Sequence, residues 1–239
     1  MKNPPAAGHY YLYGTHAVQA ALDNPKRVKR KLYTTGNGVE RLKVPQKIYA
    51  HTVESDWLSD ILPPHSVHQG VVLEVQPLPQ PHLHDLAATG KPLLMLDQVS
   101  DPHNIGAILR SAAAFNAGGV IVQEKNAPRE SATIAKIAAG ALEIMPLVKV
   151  TNLSRALDEL RELDYWSTGL AGEAKQELSQ LNLDKKSILV MGAEGEGLRQ
   201  LVAKKCDMLA KLPIHSQMES LNVSVAAGIS LYALQQKIG

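Results

Sequence analysis

Apolar and polar positions divide the chain into two stretches of different rhythm. In the first, short apolar runs at Tyr10–Tyr13 and Val28–Thr34 predict strands around a helix from about Thr15 to Leu22. A further helix fits Glu54–Leu62, and GVVLEV (Gly70–Val75) predicts a strand. From residue 93 a regular alternation sets in. Strands fit Leu93–Val99, Val120–Gln123, Leu147–Val150, Tyr165–Ala171, Ser187–Met191 and Met208–Ile214. Helices fit Asn104–Ala117, Ser131–Ala139, Leu153–Leu163, Leu198–Lys205 and Ser220–Lys237. Strands separated by helices of this length predict an α/β fold with a mainly parallel sheet covered on both faces.

Between the two rhythms lies QPLPQPHLHDLAATGKP, with Pro77, Pro79, Pro81 and Pro92. Its composition predicts a semi-rigid linker over residues 76–92, separating a domain at 1–75 from one at 93–239.

The last helix opens oddly. ESLNVSVAAG (Glu219–Gly228) begins the most apolar helical run in the chain, in which Val223, Ala227, Leu231, Leu234 and Ile238 share a face. Helix capping by Ser220 or Asn222 accounts for one polar residue. It does not account for Glu219, Ser220, Asn222 and Ser224 together unless they face a pocket.

Two other strand-to-helix junctions carry unexpected polar groups, at the strand ends where parallel sheets collect ligands. In LDQVSDPHNIGAILRSAAAFNAGG (96–119), Pro102 ends the strand and Asn104 is a plausible N-cap. Arg110 lies in an Ala/Ile/Leu-rich helix, so it snorkels, forms an ion pair or enters a cavity. In ILVMGAEGEGL (188–198), Glu194 and Glu196 sit inside a glycine-rich turn. A pyrophosphate cradle does not place carboxylates against phosphates, so this loop suits a hydroxylic, amine or cationic ligand. Glycines serving a tight turn would leave the carboxylates unexplained.

Charge changes the picture further. Residues 1–50 hold nine Lys/Arg against two Asp/Glu, a balance of +7, whereas the remaining 189 residues carry −5. A basic N-terminal third on a mildly acidic body predicts a module binding a polyanion, RNA or DNA, with Lys26, Arg27, Lys29 and Arg30 as candidate contacts; a solvated basic face is the plainer alternative. Aromatic residues are only 4% of the chain, so the core is aliphatic. The lone Cys206 excludes an internal disulfide and suits a reducing cytoplasm. The N-terminus has no apolar signal core, and no apolar run is long enough for a membrane span, so a cytoplasmic protein without membrane association is expected.

Weaker signals carry no chemistry. His65/His68 and His82/His84 lie in Pro-rich connectors without nearby Cys or clustered carboxylates, so no metal is expected. Cys206 follows Lys204-Lys205, where a buried, inert thiol is the simpler reading. Ser220 has no His–Asp partners for a hydrolase triad.

Taken together, Asn104-x-Gly106-x-x-x-Arg110, Gly192-Ala-Glu194-Gly-x-Gly197-Leu198 and Pro213-x(6)-Ser220-Leu-Asn222-Val-Ser-Val-Ala resemble the SpoU (TrmH-like) family of RNA 2′-O-ribose methyltransferases, of the SPOUT superfamily. The likeness spans residues 93–238. The N-terminal part, from YLYGTHAVQAAL to HQGVVLEVQP, resembles the substrate-binding domain of bacterial 23S rRNA guanosine 2′-O-methyltransferases. The resemblance implies a small ribosomal-protein-like RNA-binding domain and a C-terminal domain with a deep trefoil knot. It also implies S-adenosylmethionine (SAM) as methyl donor, a homodimer with the active site near the subunit interface, and rRNA as substrate. By matching the family motifs, Asn104, Arg110, Glu194, Ser220 and Asn222 are expected at the catalytic centre, and Gly192, Leu212, Ile214 and Leu221 at the cofactor. A tRNA guanosine 2′-O-methyltransferase, an antibiotic-resistance rRNA methyltransferase and an inactive RNA-binding scaffold of the same fold remain as alternatives.

Overall fold

The computed structural model describes residues 3–238; Lys2 of the basic third and the final Gly239 lie outside the described residues. Along the chain the elements run β1 (Tyr10–Tyr13), α1 (Thr15–Asp23), β2 (Lys29–Thr34), α2 (Gly36–Val39), β3 (Ala50–Thr52), α3 (Ser55–Ile61) and β4 (Val71–Val75). They continue with α4 (Leu83–Ala87), β5 (Leu93–Leu96), α5 (Pro102–Ala114), β6 (Gly119–Gln123), α6 (Ala132–Ala138), β7 (Leu147–Val150) and α7 (Leu153–Glu162). The C-terminal part adds β8 (Trp166–Leu170), β9 (Gln176–Glu177), β10 (Ser187–Met191), α8 (Gln200–Lys205), β11 (Met208–Lys211) and α9 (Val223–Ile238).

Two compact units result. The first comprises the chain up to Pro79 together with Arg129–Ile144. Its four-stranded sheet has the order β1-β4-β2-β3, antiparallel except for the β2–β3 pair, which leaves β3 at an edge. Helix α1 buries Ala17, Val18, Ala21 and Leu22, one face at helical spacing. On the sheet, Tyr11, Tyr13 and Val72 pack with Leu58, Ile61 and Leu62. Both α2 and β3 escape the apolar pattern, because GNGV and AHT are too short and too polar to show a period.

Arg129–Ile144 groups with this unit although it lies beyond the proline-rich segment in sequence, and Arg27 is one of the residues that tie it in. Arg27 was expected among the RNA contacts; instead it is 3% exposed. Its Nε and Nη2 donate to the Glu143 carboxylate, with Nη2–Oε1 at 2.6 Å, and Nη1 donates to Glu130 and to the Gln76 carbonyl. Burial, and then the neighbouring Glu130 carboxylate, push the Tyr10 phenol above its usual range, so it stays a donor to Glu130. A buried cation must be paired, and these two acidic residues pair it. Arg27→Ala therefore leaves two carboxylates uncompensated and should destabilise this unit by about 3–5 kcal/mol. Denaturant unfolding reads that loss; unchanged stability with weakened RNA binding would restore Arg27 as a contact.

The second unit comprises Gln80–Pro128 and Met145–Gly239. All strand pairs of its seven-stranded sheet, β7-β6-β5-β10-β8-β11-β9, are parallel, as the β–α rhythm predicts. Its core gathers Met95, Ile121, Val148, Leu157, Leu160, Ile188 and Val190. Leu83 and Leu86 of α4 are buried in that core, so the proline-rich segment is only partly a linker. Helix α7 starts at Asn152, whose side chain accepts from the Arg155 N–H at 3.1 Å. Among the described residues no helix is long and apolar enough to cross a membrane.

Candidate functional site

Strand order runs outward from β5 through β6 to β7, and from β10 through β8 to β11 on the other side. The neighbours β5 and β10 thus mark the point where the order reverses, and their carboxyl ends open the crevice where such sheets take ligands.

Beyond β5 the chain turns through Asp97 and Gln98, the latter at φ 62, into α5. Asp101, not Asn104, is the N-cap: its carboxylate accepts from the His103 N–H at 3.1 Å, and Pro102 occupies the first helical positions. Asn104 is thereby released from capping, and its side chain turns to another junction. Beyond β10 lies the glycine loop. The Gly197 N–H donates to the Ala193 carbonyl at 2.9 Å, and Gly195 and Gly197 hold φ 80 and 66. A Cβ on Gly192 would lie 2.0 Å from the backbone carbonyl of Gly197, so only glycine fits.

The third junction answers the odd opening of the last helix. Asn222 caps α9: its Oδ1 accepts from the Ser224 N–H at 2.9 Å and the Val225 N–H at 3.4 Å. That starts the helix three residues later than the apolar pattern suggests and leaves Ser220 outside the cap. Asn222 Nδ2 then donates to Asn104 Oδ1 at 3.0 Å, across 118 residues of sequence, and reaches Glu194 Oε2 at 3.5 Å. One asparagine therefore caps the helix with its oxygen and ties the other two junctions together with its nitrogen.

Beside this cluster lies a cavity of about 320 Å³, within the range of small-molecule sites. Gly192, Leu212, Ile214 and Leu221, expected at the cofactor, line it, as do Glu194 and Ser220. Glu173, Glu194, Glu196 and Glu219 reach its wall, against Lys211 as the cation. That balance favours a positively charged ligand beside an apolar slot.

Arg110 stands apart. It is exposed, six residues and roughly 9 Å along the axis of α5 from Asn104, and it does not line the cavity. It has no ion pair or hydrogen bond among the described residues, which removes the structural ion-pair reading.

Two residues outside the motif set, Asp97 and Arg199, hold the site. The wholly buried Asp97 accepts from the Arg199 N–H at 2.9 Å and from Arg199 Nε at 2.7 Å, and Arg199 reaches on to Gln123 at 2.9 Å. This bidentate pair fastens the exit of the glycine loop to the end of β5. The signal was present as a carboxylate closing an apolar strand and an arginine two residues after the last glycine of the loop. Burial pushes the Cys206 thiol up to about 12, which keeps it unreactive. Among the described residues no group of three or more His, Cys, Asp and Glu side chains could hold a metal ion.

Comparison with known proteins bears on both units. The SpoU rRNA Methylase family model matches residues 91–232, and the model for RNA 2′-O ribose methyltransferase substrate binding matches residues 11–81. A 23S rRNA (guanosine-2′-O-)-methyltransferase RlmB of Pseudomonas putida is 41% identical over 244 residues, covering 95% of this chain and 96% of the relative. The enzyme of the same description from Escherichia coli is 41% identical over 242 residues, covering 95% and 98%. Among solved structures, the SpoU methyltransferase AviRb from Streptomyces viridochromogenes, in complex with AdoMet, superimposes with a TM-score of 0.81 over 97% of this chain and 91% of its own. At 21% identity, that likeness establishes the fold.

Proposed function

We propose, from the premise that this chain belongs to the SpoU rRNA methylase family, that it transfers the methyl group of SAM to the ribose 2′-OH of a guanosine in 23S rRNA. The observation that carries this reading is the meeting of Asn104, Glu194 and Asn222 at the rim of a cavity on the switch point of the sheet. The relatives at 41% identity are named for that reaction and are matched over nearly their whole length.

The residues present fit a sulfonium donor. Carboxylates on the wall suit its positive charge, and Leu212, Ile214 and Leu221 offer an apolar slot for its adenosine. SAM supplies the electrophilic methyl group, and no metal is required. The chain supplies alignment: Asn104, Glu194 and Asn222 hold hydrogen-bonding groups at the rim that orient the incoming ribose, with Ser220 beside them. The C–O bond to the 2′-oxygen would form as the S–CH3 bond of the sulfonium breaks and S-adenosylhomocysteine leaves, with the hydroxyl proton passing to solvent. Arg110, fixed as a cation, holds the target phosphate or ribose and favours the developing alkoxide.

Two further parts belong to this reading. Val225, Ile229 and Tyr232 form an exposed apolar stripe on α9, continued by Ala107 of α5 and by Phe115, which caps the end of that helix, and a second copy of the chain covers it in a homodimer. Arg110 lies on the same helix, so dimerisation brings it to the interface, near the active site. Light scattering should give twice the chain mass. The reading includes a deep trefoil knot in the second unit; pulling on the termini should leave a chain shorter than its contour. The basic first unit delivers the rRNA in the cytoplasm: Lys26 is exposed, whereas Lys29 is half-buried with its ammonium donating to the Asn24 carbonyl at 2.6 Å and Arg30 is exposed but paired with Glu74 at 2.9 Å.

The test is transfer of labelled methyl from SAM to 23S rRNA, followed by ribose-methylation mapping. A single modified guanosine is expected. Methylation of tRNA instead, or SAM binding without transfer to any RNA, would replace this reading by the tRNA enzyme or the inactive scaffold.

A further inference from the structure

The chain holds only ten Phe, Trp and Tyr residues, yet rings gather into one row in the first unit. Trp57 and Tyr33 lie 4.9 Å apart, Tyr33 and His51 5.7 Å, and His51 and Tyr49 4.8 Å. Trp57 and Tyr33 pack against the core, so the row begins inside the unit and runs outward to the edge strand β3. At its outer end His51 is exposed and Tyr49 is 75% exposed.

Basic groups flank that end. Lys31 lies two residues before Tyr33 on β2, and so on the same face of the strand; Lys47 lies two before Tyr49. Both are exposed and have no ion pair or hydrogen bond among the described residues. An aromatic surface buttressed from the core, with unpaired ammonium groups beside it, matches the chemistry of a single-stranded polyanion carrying flat bases.

We propose that Tyr49, against which the His51 ring stands edge-on at 83°, is a stacking platform for an unpaired base of the RNA substrate, with Lys31 and Lys47 holding the adjoining phosphates. The proposal rests on the RNA reading above and adds the place and manner of contact. Single-stranded RNA is the occupant, because a base locked in a duplex has no free face to stack.

The experiment measures binding of a fluorescein-labelled oligouridine, and of an RNA duplex, to the full chain across a salt series. Tyr49→Ala should weaken oligouridine binding about 5- to 100-fold without changing its salt slope, and Tyr49→Phe should restore binding. Lys31→Ala and Lys47→Ala should each reduce the magnitude of the slope by about 0.7. Duplex binding, SAM affinity and thermal unfolding should not change in Tyr49→Ala. Equal oligouridine affinity for wild type and Tyr49→Ala, or no binding by the wild type, overturns the platform. Methyl transfer to rRNA by the wild type is measured in parallel. If transfer persists while the platform fails, the enzymatic reading stands without it; if transfer is absent, that reading fails by itself.

Discussion

Arg110→Ala should lower methyl transfer by about 100- to 1,000-fold while SAM affinity stays near that of the wild type. The side chain is exposed, lies outside the cavity lining and lacks a partner among the described residues, so its removal leaves the cofactor wall intact. Alanine suits a helix interior, so folding should not suffer either. A guanidinium stays protonated in proteins, which makes a cation's role available and a general base's role unavailable. Arg110→Lys should recover little, because a point charge does not reproduce a planar fork on a phosphate or ribose. Single-turnover transfer to rRNA, set beside calorimetric titration with SAM, separates chemistry from binding. Lost SAM affinity with retained turnover would place Arg110 at the cofactor instead.

Gly192→Ala should abolish SAM binding, with a loss of about 100-fold or more. The added Cβ would meet the Gly197 carbonyl carbon and oxygen at 2.0 Å and the Leu198 nitrogen at 2.4 Å. These are backbone atoms of the same loop, which cannot rotate aside as a side chain would, and overpacking of up to about 3 kcal/mol corresponds to that factor. Gly172 provides the control. It lines the same cavity, yet a Cβ there meets nothing within 4 Å, so Gly172→Ala should bind SAM normally. RNA binding by the first unit should persist in both variants. Equal SAM affinity in Gly192→Ala and wild type would remove the glycine loop from the cofactor site.

Local chemistry explains which elements could be read in advance. Leu147–Val150 and Ser187–Met191 are apolar runs bounded by turn residues, and they form β7 and β10 over those same residues. The buried face of α9 is the predicted one, with Val223, Ala227, Leu231 and Leu234 inside. Capping is equally local, but several residues near a helix start are competent to cap. Pro102 at the first positions of α5 decided for Asp101 over Asn104, and so freed Asn104 for the site. Short polar pieces such as α2 and β3 carry no period at all and hold their shape through neighbours.

Sequence alone determined the β–α alternation, the apolar faces, the glycine turn and the three polar junctions, because each depends on residues within a few positions of one another. Tertiary structure decided what those junctions do together. Asn222 and Asn104 meet across 118 residues, and no local preference encodes that contact. It also decided the fate of Arg27, which reads as one more charge in KRVKRK until Glu130 and Glu143, 103 and 116 residues away, close around it. The physical reason is common to both cases. A polar group's partner is chosen by where burial excludes water, and burial is settled only when distant segments pack.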